Sequence, residues 1–116
     1  MNILIVDDDS GYREMLFNHL NRNHEISLLT NGRSALALLA DDDHEFDYVL
    51  LDLHMPRLNG TKLLHALNEW KNSRIRFIIM SGMPDIEHVR TLPNVRAVLR
   101  KPFDMATLDA LLKATS

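Results

Sequence analysis

Tyr48-Val-Leu-Leu-Asp52-Leu-His-Met-Pro56 joins an apolar run to one carboxylate and then to a proline. The run from Tyr48 to Leu51 is long enough for a strand buried on both faces of a sheet and too short for a helix of its own. Pro56 blocks continuation and biases Met55 toward an extended backbone. The stretch therefore predicts a central strand that presents Asp52 at its carboxyl end. Taken alone, Asp52 is equally compatible with a turn former or a helix cap.

The length and composition of the chain indicate one compact domain, residues 1–116. A chain of 116 residues can bury a core without cross-links, and the absence of cysteine excludes disulfides and thiolate metal sites. The N-terminus lacks the basic region of a signal peptide, and no apolar run has membrane-spanning length, so we expect a cytoplasmic protein without membrane contact. A net charge of -3 with scattered Lys and Arg goes against direct nucleic-acid binding.

Apolar runs and helical periodicities alternate along the chain. The predicted strands cover residues 2–6, 25–29, 48–51, 75–80 and 95–99. Four of the predicted helices carry apolar residues at helical spacing: Tyr12, Met15, Leu16 and Leu20; Ala35, Leu38 and Leu39; Leu63, Leu64, Leu67 and Trp70; and Met105, Leu108, Leu111 and Leu112. The last of these helices starts at about Asp104. Another short helix is predicted over residues 85–92, after Pro84. This alternation predicts βαβ crossovers, and therefore an α/β fold whose parallel sheet is covered by helices on both sides. Arg96 interrupts the last apolar run, which predicts an edge strand.

Polar side chains follow four of the predicted strands. They are Asp7 and Asp8 after the first strand, Asp52 after the third, Ser81 after the fourth and Lys101 after the fifth. Because open α/β sheets bind ligands outside the carboxyl ends of their strands, we expect these groups to share one pocket. Each close pair of carboxylates costs from about 1 kcal/mol in water to about 4 kcal/mol near a protein surface. A cation is therefore expected among them.

The chemistry of this set indicates phosphoryl transfer. Carboxylate ligation without His or Cys favours Mg²⁺, which keeps several waters and bridges to phosphate oxygens. Lys101 supplies a compact positive charge for a phosphate, and the Ser81 hydroxyl can donate to a phosphoryl oxygen. Transfer onto an aspartate mainly needs positioning and charge neutralisation, so these groups predict that Asp52 is a phosphoacceptor.

Four motifs together resemble a response-regulator receiver domain of two-component signalling, from end to end of the chain. They are Val6-Asp7-Asp8, Leu51-Asp52-Leu-His-Met-Pro56 with Gly60 following, Ile79-Met80-Ser81-Gly82, and Lys101-Pro102-Phe103. Each motif closes an apolar strand, and their order over nearly the whole chain makes the resemblance specific. It implies a single doubly wound (βα)5 flavodoxin-like domain with strand order 2-1-3-4-5. It also implies a cis bond between Lys101 and Pro102.

The resemblance further implies a role for each site residue. In such a domain Asp52 accepts a phosphoryl group from a phosphohistidine on a sensor histidine kinase or phosphotransfer protein. Asp8, Asp52 and the His54 backbone carbonyl hold Mg²⁺ with Asp7 assisting through water, while Ser81 and Lys101 contact the phosphoryl group. The protein is then a signalling phosphoacceptor, not an enzyme with a separate substrate. It acts on a downstream protein partner or a fused output domain, and a homodimer is compatible with that role.

Val98 departs from the pattern of the family, because many receivers carry Tyr or Phe three positions before the lysine. The segment between Ser81 and Lys101 is also slightly short, and Pro93 cuts into it. Valine is stiff about χ1 and cannot swing between buried and exposed positions as a long ring does. We therefore predict that any switch runs through residues 81–83, where Gly82 permits backbone rearrangement, and into the helix after Pro84.

Two other interpretations of the acidic start stay open. Asp7-Asp8-Asp9 also resembles the Asp-x-Asp motif of haloacid-dehalogenase-type phosphohydrolases, in which Asp7 is the nucleophile and Ser81 and Lys101 fit later motifs. That alternative leaves Asp52 and its Met-Pro element unexplained, and 116 residues give little room for a substrate-enclosing cap. The other alternative, a receiver-like interaction module without phosphorylation, is disfavoured because every phosphorylation residue is present.

Some polar residues near the site have simpler explanations. Asp9 is predicted to cap the first helix. The acidic run 41–45 is predicted to be a solvated loop, since charge runs of this kind are surface features far more often than cation sites. The side chain of His54 either borders the site or faces solvent, and the other histidines lack the spacing of metal ligands.

Overall fold

The computed structural model describes residues 1–39, 45–53, 75–82, 90 and 94–114, apart from the side chain of residue 36. The strands in this part of the chain are β1 Asn2–Val6, β2 Glu25–Leu29, β3 Tyr48–Asp52, β4 Arg76–Ser81 and β5 Val95–Arg100. Its helices are α1 Ser10–Leu20, α2 Gly32–Leu39 and a C-terminal helix, Met105–Ala114. The predicted helix over residues 63–70 lies outside the described residues, and so does the predicted helix over residues 85–92 apart from residue 90. None of the described helices is long and apolar enough to cross a membrane.

The strands form one parallel sheet in the order β2-β1-β3-β4-β5. The predicted α/β fold and the strand order 2-1-3-4-5 are therefore confirmed. Strand order reverses between β1 and β3, and in open α/β sheets such a point leaves a crevice outside the carboxyl ends of the strands. Val6 lies opposite Leu51 and Leu51 opposite Ile79, so β1, β3 and β4 end side by side at that crevice.

The central strand β3 is buried along its whole length, as its apolar run predicts. Tyr48 and Leu50 pack into a cluster with α1 and the C-terminal helix. Val49 and Leu51 pack into a second cluster with α2. Side chains alternate between the two faces of a strand, so each face of β3 meets its own layer of helix. Full burial of each aliphatic side chain of β3 stabilises the fold by about 1.5–3 kcal/mol, so the strand is anchored on both faces.

The carboxyl ends of β3 and β4 run one residue beyond their predicted bounds. β3 includes Asp52 and β4 includes Ser81. The strands continue past their apolar runs because the ladder is built from backbone groups, whatever the side chain. The Lys101 N–H donates to the Ser81 carbonyl at 2.7 Å, and Asp52 lies in register opposite Met80. Two candidate site residues therefore belong to the sheet itself.

β5 lies at an edge of the sheet, as the interruption at Arg96 predicts. The side chains of Arg96 and Arg100 are exposed, whereas Leu99 is buried. Val98 is half-buried and packs against the cluster that contains Phe77 and α2. The position at which many receivers carry an aromatic ring is thus filled here by a short side chain held against the core.

The structure confirms the predicted cap at Asp9, but not every apolar position predicted on the helices is buried. Asp9 caps α1, because its side chain accepts hydrogen bonds from the first-turn N–H groups. The prediction that Leu38 belongs to the inward face of α2 is wrong, since Leu38 is 37% exposed while Ala35 and Leu39 are buried. The buried residues of α2 also include Gly32. Leu38 lies about 90° around the helix from the centre of that face. Met15 of α1 is likewise 40% exposed.

Candidate functional site

The carboxyl ends of four neighbouring strands bring the predicted polar groups to one place. Asp7 directly follows β1, Asp52 and Ser81 end β3 and β4, and Lys101 directly follows β5. The Lys101 Nζ atom lies 2.7 Å from Asp7 Oδ2 and 3.6 Å from Asp52 Oδ2. Ser81 is fully buried at the adjacent strand end. The convergence expected from the strand ends is present in the structure.

Asp7 is a fully buried carboxylate with both oxygens engaged. Its Oδ1 accepts a hydrogen bond from the Asp9 backbone N–H at 2.9 Å, and its Oδ2 accepts from Lys101 Nζ at 2.7 Å. The Arg13 guanidinium donates to the Asp7 backbone carbonyl at 2.8 Å. A buried charge is tolerated only when it is paired and hydrogen-bonded, and these contacts meet that condition for Asp7.

Asp7, Asp8 and Asp52 form a compact acidic cluster. One carboxylate oxygen from each lies within 4.8 Å of the others. Asp7 and Asp52 are buried, whereas Asp8 is exposed, so the cluster opens to water on one side. Ligands that are all oxygens and a wet side suit a hard cation that keeps part of its hydration shell, as Mg²⁺ does. The donor set of this pocket therefore fits Mg²⁺.

Lys101 supplies positive charge to this pocket. Burial by itself lowers the pKa of its ammonium group, but the hydrogen bond to Asp7 and the charges of Asp52 and Asp7 outweigh burial, so the pKa is raised above its ordinary value of 10.5. The ammonium is therefore charged at neutral pH. The Lys101-Pro102 peptide bond is cis, as the family resemblance implies.

Two residues of α1 that the sequence did not single out also reach the site. The Tyr12 ring faces Lys101 Nζ with 4.2 Å between nitrogen and ring centroid, and Arg13 holds the Asp7 backbone. Helical spacing marked Tyr12 as an apolar position, which gives no sign of a contact with a residue almost ninety positions later. Both residues lie in the first turn after the aspartates, at the carboxyl edge of the sheet. That position is the sequence signal that could have indicated their contact with the site.

Two of the remaining predicted features lie outside the described residues, and the third, Asp9, lies within them. His54, whose backbone carbonyl was expected to bind the metal, lies outside the described residues, as does the acidic run 41–44. Asp9 turns its carboxylate to the α1 backbone, where Oδ1 accepts from the Gly11 N–H at 2.8 Å and from the Tyr12 N–H at 3.3 Å. Asp9 therefore acts as a helix cap in the structure.

Comparison with known proteins gives the family. The response regulator receiver domain family matches residues 3–113. The chain is 34% identical over 116 residues to the response regulator MprA of Mycolicibacterium vanbaalenii, covering 98% of this chain and 49% of that protein. It is 32% identical over 114 residues to the regulatory protein AtoC of Escherichia coli, covering 96% of this chain and 24% of that protein. The chain thus spans less than half the length of these curated relatives.

A solved structure supports the same assignment. The CheY-like response regulator receiver domain protein of Methanospirillum hungatei superposes with a TM-score of 0.85 at 25% identity, covering 98% of this chain and 91% of that one. The parallel sheet, its strand order and the acidic cluster at its carboxyl edge agree with such a domain. The chain belongs to the response regulator receiver domain family of two-component signalling.

Proposed function

We propose that residues 1–116 form one receiver domain whose Asp52 accepts a phosphoryl group from a phosphohistidine of a histidine kinase or phosphotransfer protein. The observation that supports this most directly is the position of the Asp52 carboxylate. It lies at the tip of the central strand, within 4.8 Å of two other carboxylates and 3.6 Å from a lysine ammonium. Phosphoryl transfer needs this kind of site, in which charge is balanced by fixed groups around the acceptor.

The proposed step exchanges one bond to phosphorus for another. An oxygen of the Asp52 carboxylate attacks the phosphorus, and an acyl-phosphate bond forms. The bond between phosphorus and the imidazole nitrogen breaks, and its electron pair stays on that nitrogen. Lys101 and Ser81 contact the phosphoryl oxygens. The Lys101 ammonium offsets negative charge, and the Ser81 hydroxyl donates a hydrogen bond.

In this proposal Asp8, Asp52 and the His54 backbone carbonyl would hold Mg²⁺, and Asp7 would assist through water. When bound, the ion would neutralise charge that develops on the phosphoryl oxygens. Before transfer, the buried Asp7 accepts hydrogen bonds from Lys101 and from the Asp9 backbone, which fixes the pocket around the acceptor. The exposed Asp8 leaves the pocket open to the incoming phosphodonor and to water.

The proposed biological role is that of a switch in a phosphorelay. The domain assists its own phosphorylation and dephosphorylation and does not act on a separate substrate. We place it in the cytoplasm, the typical location of the family, with a downstream protein or a fused output domain as its target. Fusion is common among the relatives, since the matched region makes up 24% of AtoC and 15% of the sensory/regulatory protein RpfC of Xanthomonas campestris.

The hydrolase alternative with Asp7 as nucleophile finds little support. Both carboxylate oxygens of Asp7 accept hydrogen bonds, and the residue is fully buried. A nucleophile must be accessible to its substrate, and the Asp7 carboxylate has no exposed surface in this structure. The family assignment over residues 3–113 also goes against it.

Phosphorylation with a small donor tests the proposal. The protein is incubated with acetyl phosphate and Mg²⁺, and its intact mass is measured before and after mild base. We expect one added phosphate that base removes, and no addition in Asp52→Asn. Asp109→Asn is the matched control, because Asp109 lies on the C-terminal helix, where it pairs with His19 and is not part of the acidic cluster. A phosphate that persists in Asp52→Asn would move the acceptor to another residue and refute the assignment.

A further inference from the structure

Lys101 has an aromatic neighbour in addition to its two carboxylates. Its Nζ lies 4.2 Å from the centroid of the Tyr12 ring, inside the range of about 6 Å at which a cation is attracted to a ring face. The same nitrogen is 2.7 Å from Asp7 Oδ2 and 3.6 Å from Asp52 Oδ2. The Lys101 side chain is 14% exposed. Two carboxylates and one ring therefore surround the ammonium.

The Tyr12 ring is itself held in place. Its centroid lies 5.9 Å from that of Phe103, with the planes tilted by 48°, within the range of favourable aromatic pairs. The Tyr12 N–H donates to Asp9 Oδ1 at 3.3 Å, and the Asp9 N–H donates to Asp7 Oδ1 at 2.9 Å. The ring is thus linked to Asp7 through the first turn of α1 and to the residues after β5 through Phe103.

Lysine needs such a support because its ammonium is a point charge on a flexible four-carbon stem. The closer carboxylate, Asp7, draws the ammonium to the β1 side of the pocket, away from Asp52. Tyr12 also lines a surface groove, together with Gly11 and Phe103 among others. A ring held 4.2 Å from the nitrogen limits the positions that the stem can take.

Resting on the proposed phosphoryl transfer, we infer that Tyr12 is a positioning residue for Lys101, and that its ring face keeps the ammonium within reach of the group received by Asp52. The ring touches neither the acceptor nor the donor in this scheme. It acts through Lys101, so its removal lowers the rate of transfer at saturating donor and leaves the fold intact. The hydroxyl has no part in this role, so we expect Tyr12→Phe to retain the function of the ring.

Three variants test the inference through the rate of phosphorylation by acetyl phosphate at saturating Mg²⁺ and donor. We expect Tyr12→Leu to lower the rate about tenfold, which corresponds to about 1.4 kcal/mol and lies within the range of cation–π energies. Tyr12→Phe retains the ring face and keeps the wild-type rate within about twofold. Met15→Leu is the matched control, because Met15 lines the same groove and is 40% exposed.

An NMR measurement separates positioning from a general structural effect. In protein labelled with ¹³C-lysine, the Lys101 ε protons beside the ring face carry an upfield ring-current shift. We expect this shift to vanish in Tyr12→Leu, to return in Tyr12→Phe and to be unchanged in Met15→Leu. A wild-type rate in Tyr12→Leu overturns the inference, and so does a reduced rate with an unmoved Lys101 resonance.

Two further outcomes are assigned in advance. If circular dichroism shows that Tyr12→Leu does not fold, Phe103→Leu decides, since it frees the ring while leaving it present. A wild-type rate and a wild-type Lys101 shift in Phe103→Leu then overturn the inference. If the wild-type protein itself gains no phosphate, the proposed function fails and the role of Tyr12 in the reaction fails with it. The Lys101 shift still reports the ring contact in that case, so the two failures are distinguishable.

Discussion

Asp52→Asn is expected to make the metal-free protein more stable, although it removes the proposed acceptor. Asp52 experiences opposing interactions in the pocket. Lys101 Nζ attracts it from 3.6 Å, while the carboxylates of Asp7 and Asp8 repel it from within 4.8 Å. Asparagine has nearly the same shape and no charge, so the substitution removes both interactions without leaving a cavity.

The balance follows from Coulomb's law at an effective dielectric constant of about 20. The attraction to Lys101 is then about 4.6 kcal/mol, and each repulsion is at least about 3.5 kcal/mol. Asp8 is exposed, so water weakens its repulsion to roughly half. The Asp52 side chain is only 8% exposed, so burial of its charge adds a further penalty to the wild type. We expect Asp52→Asn to raise the free energy of unfolding by about 1–2 kcal/mol at pH 7 without divalent cations.

Urea denaturation followed by circular dichroism measures this change. In the wild type we expect Mg²⁺ to raise the urea midpoint by binding the folded protein, and we expect Asp52→Asn to lose most of that increase because a proposed ligand is gone. The difference in unfolding free energy between Asp52→Asn and the wild type should then shrink or change sign as Mg²⁺ is added. Asp109→Asn is the control, since its exposed pair with His19 contributes at most about 1 kcal/mol. A loss of stability in metal-free Asp52→Asn would show that the Lys101 pair outweighs the repulsion, and would refute the reasoning.

Three further predictions concern the metal, pH and the switch. Asp8→Ala should abolish Mg²⁺-dependent chemical-shift changes around Asp52, and undiminished binding would place the metal elsewhere, with the acidic run 41–43 tested next. Burial and the N-terminal ammonium lower the pKa of His24 below its ordinary value of 6.5. The unfolded chain therefore takes up the proton first, so the free energy of unfolding should fall relative to His24→Gln as pH drops below 6.5, and a constant difference between pH 8 and pH 5 contradicts this. In amide spectra of the protein with beryllofluoride and Mg²⁺, the largest changes should lie in residues 81–83 and in the segment that follows Pro84. Changes centred on Val98 instead would contradict the switch expected from its short side chain.

Most of the fold could be predicted from the sequence because its local signals agree with one another. The apolar run of β3 needs cover on both faces, and the alternation of strands with helices supplies that cover. Strand ends predicted the pocket for the same reason, since parallel strands present their carboxyl ends at one edge of the sheet. The strand order came from family resemblance, because no local pattern distinguishes β1 from β4 as the neighbour of β2.

Features that depend on how elements approach one another were not predictable in this way. The contact of Tyr12 with Lys101 depends on the rotation of α1 and on the path of the chain after β5. Leu38 follows helical spacing, yet it is 37% exposed because the face centred on Ala35 and Leu39 meets the sheet. Ser81 was expected just beyond its strand, but its backbone pairs with the chain after β5 and keeps it inside the ladder. In each case the position of the residue depends on packing between elements, whereas sequence periodicity reports only on a single helix or strand.

The sharing of Lys101 between two carboxylates links the proposed phosphoryl group to the proposed metal. Asp7 is fully buried and depends on Lys101 for its charge balance, with 2.7 Å between Oδ2 and Nζ. A phosphoryl group on Asp52 adds negative charge on the other side of the ammonium and draws it from Asp7. Asp7 then needs a second positive charge, which a cation held by Asp8 and Asp52 would supply. By thermodynamic reciprocity, a cation that favours the phosphorylated form binds more tightly to that form. We therefore expect weak Mg²⁺ binding before phosphorylation and tighter binding after it.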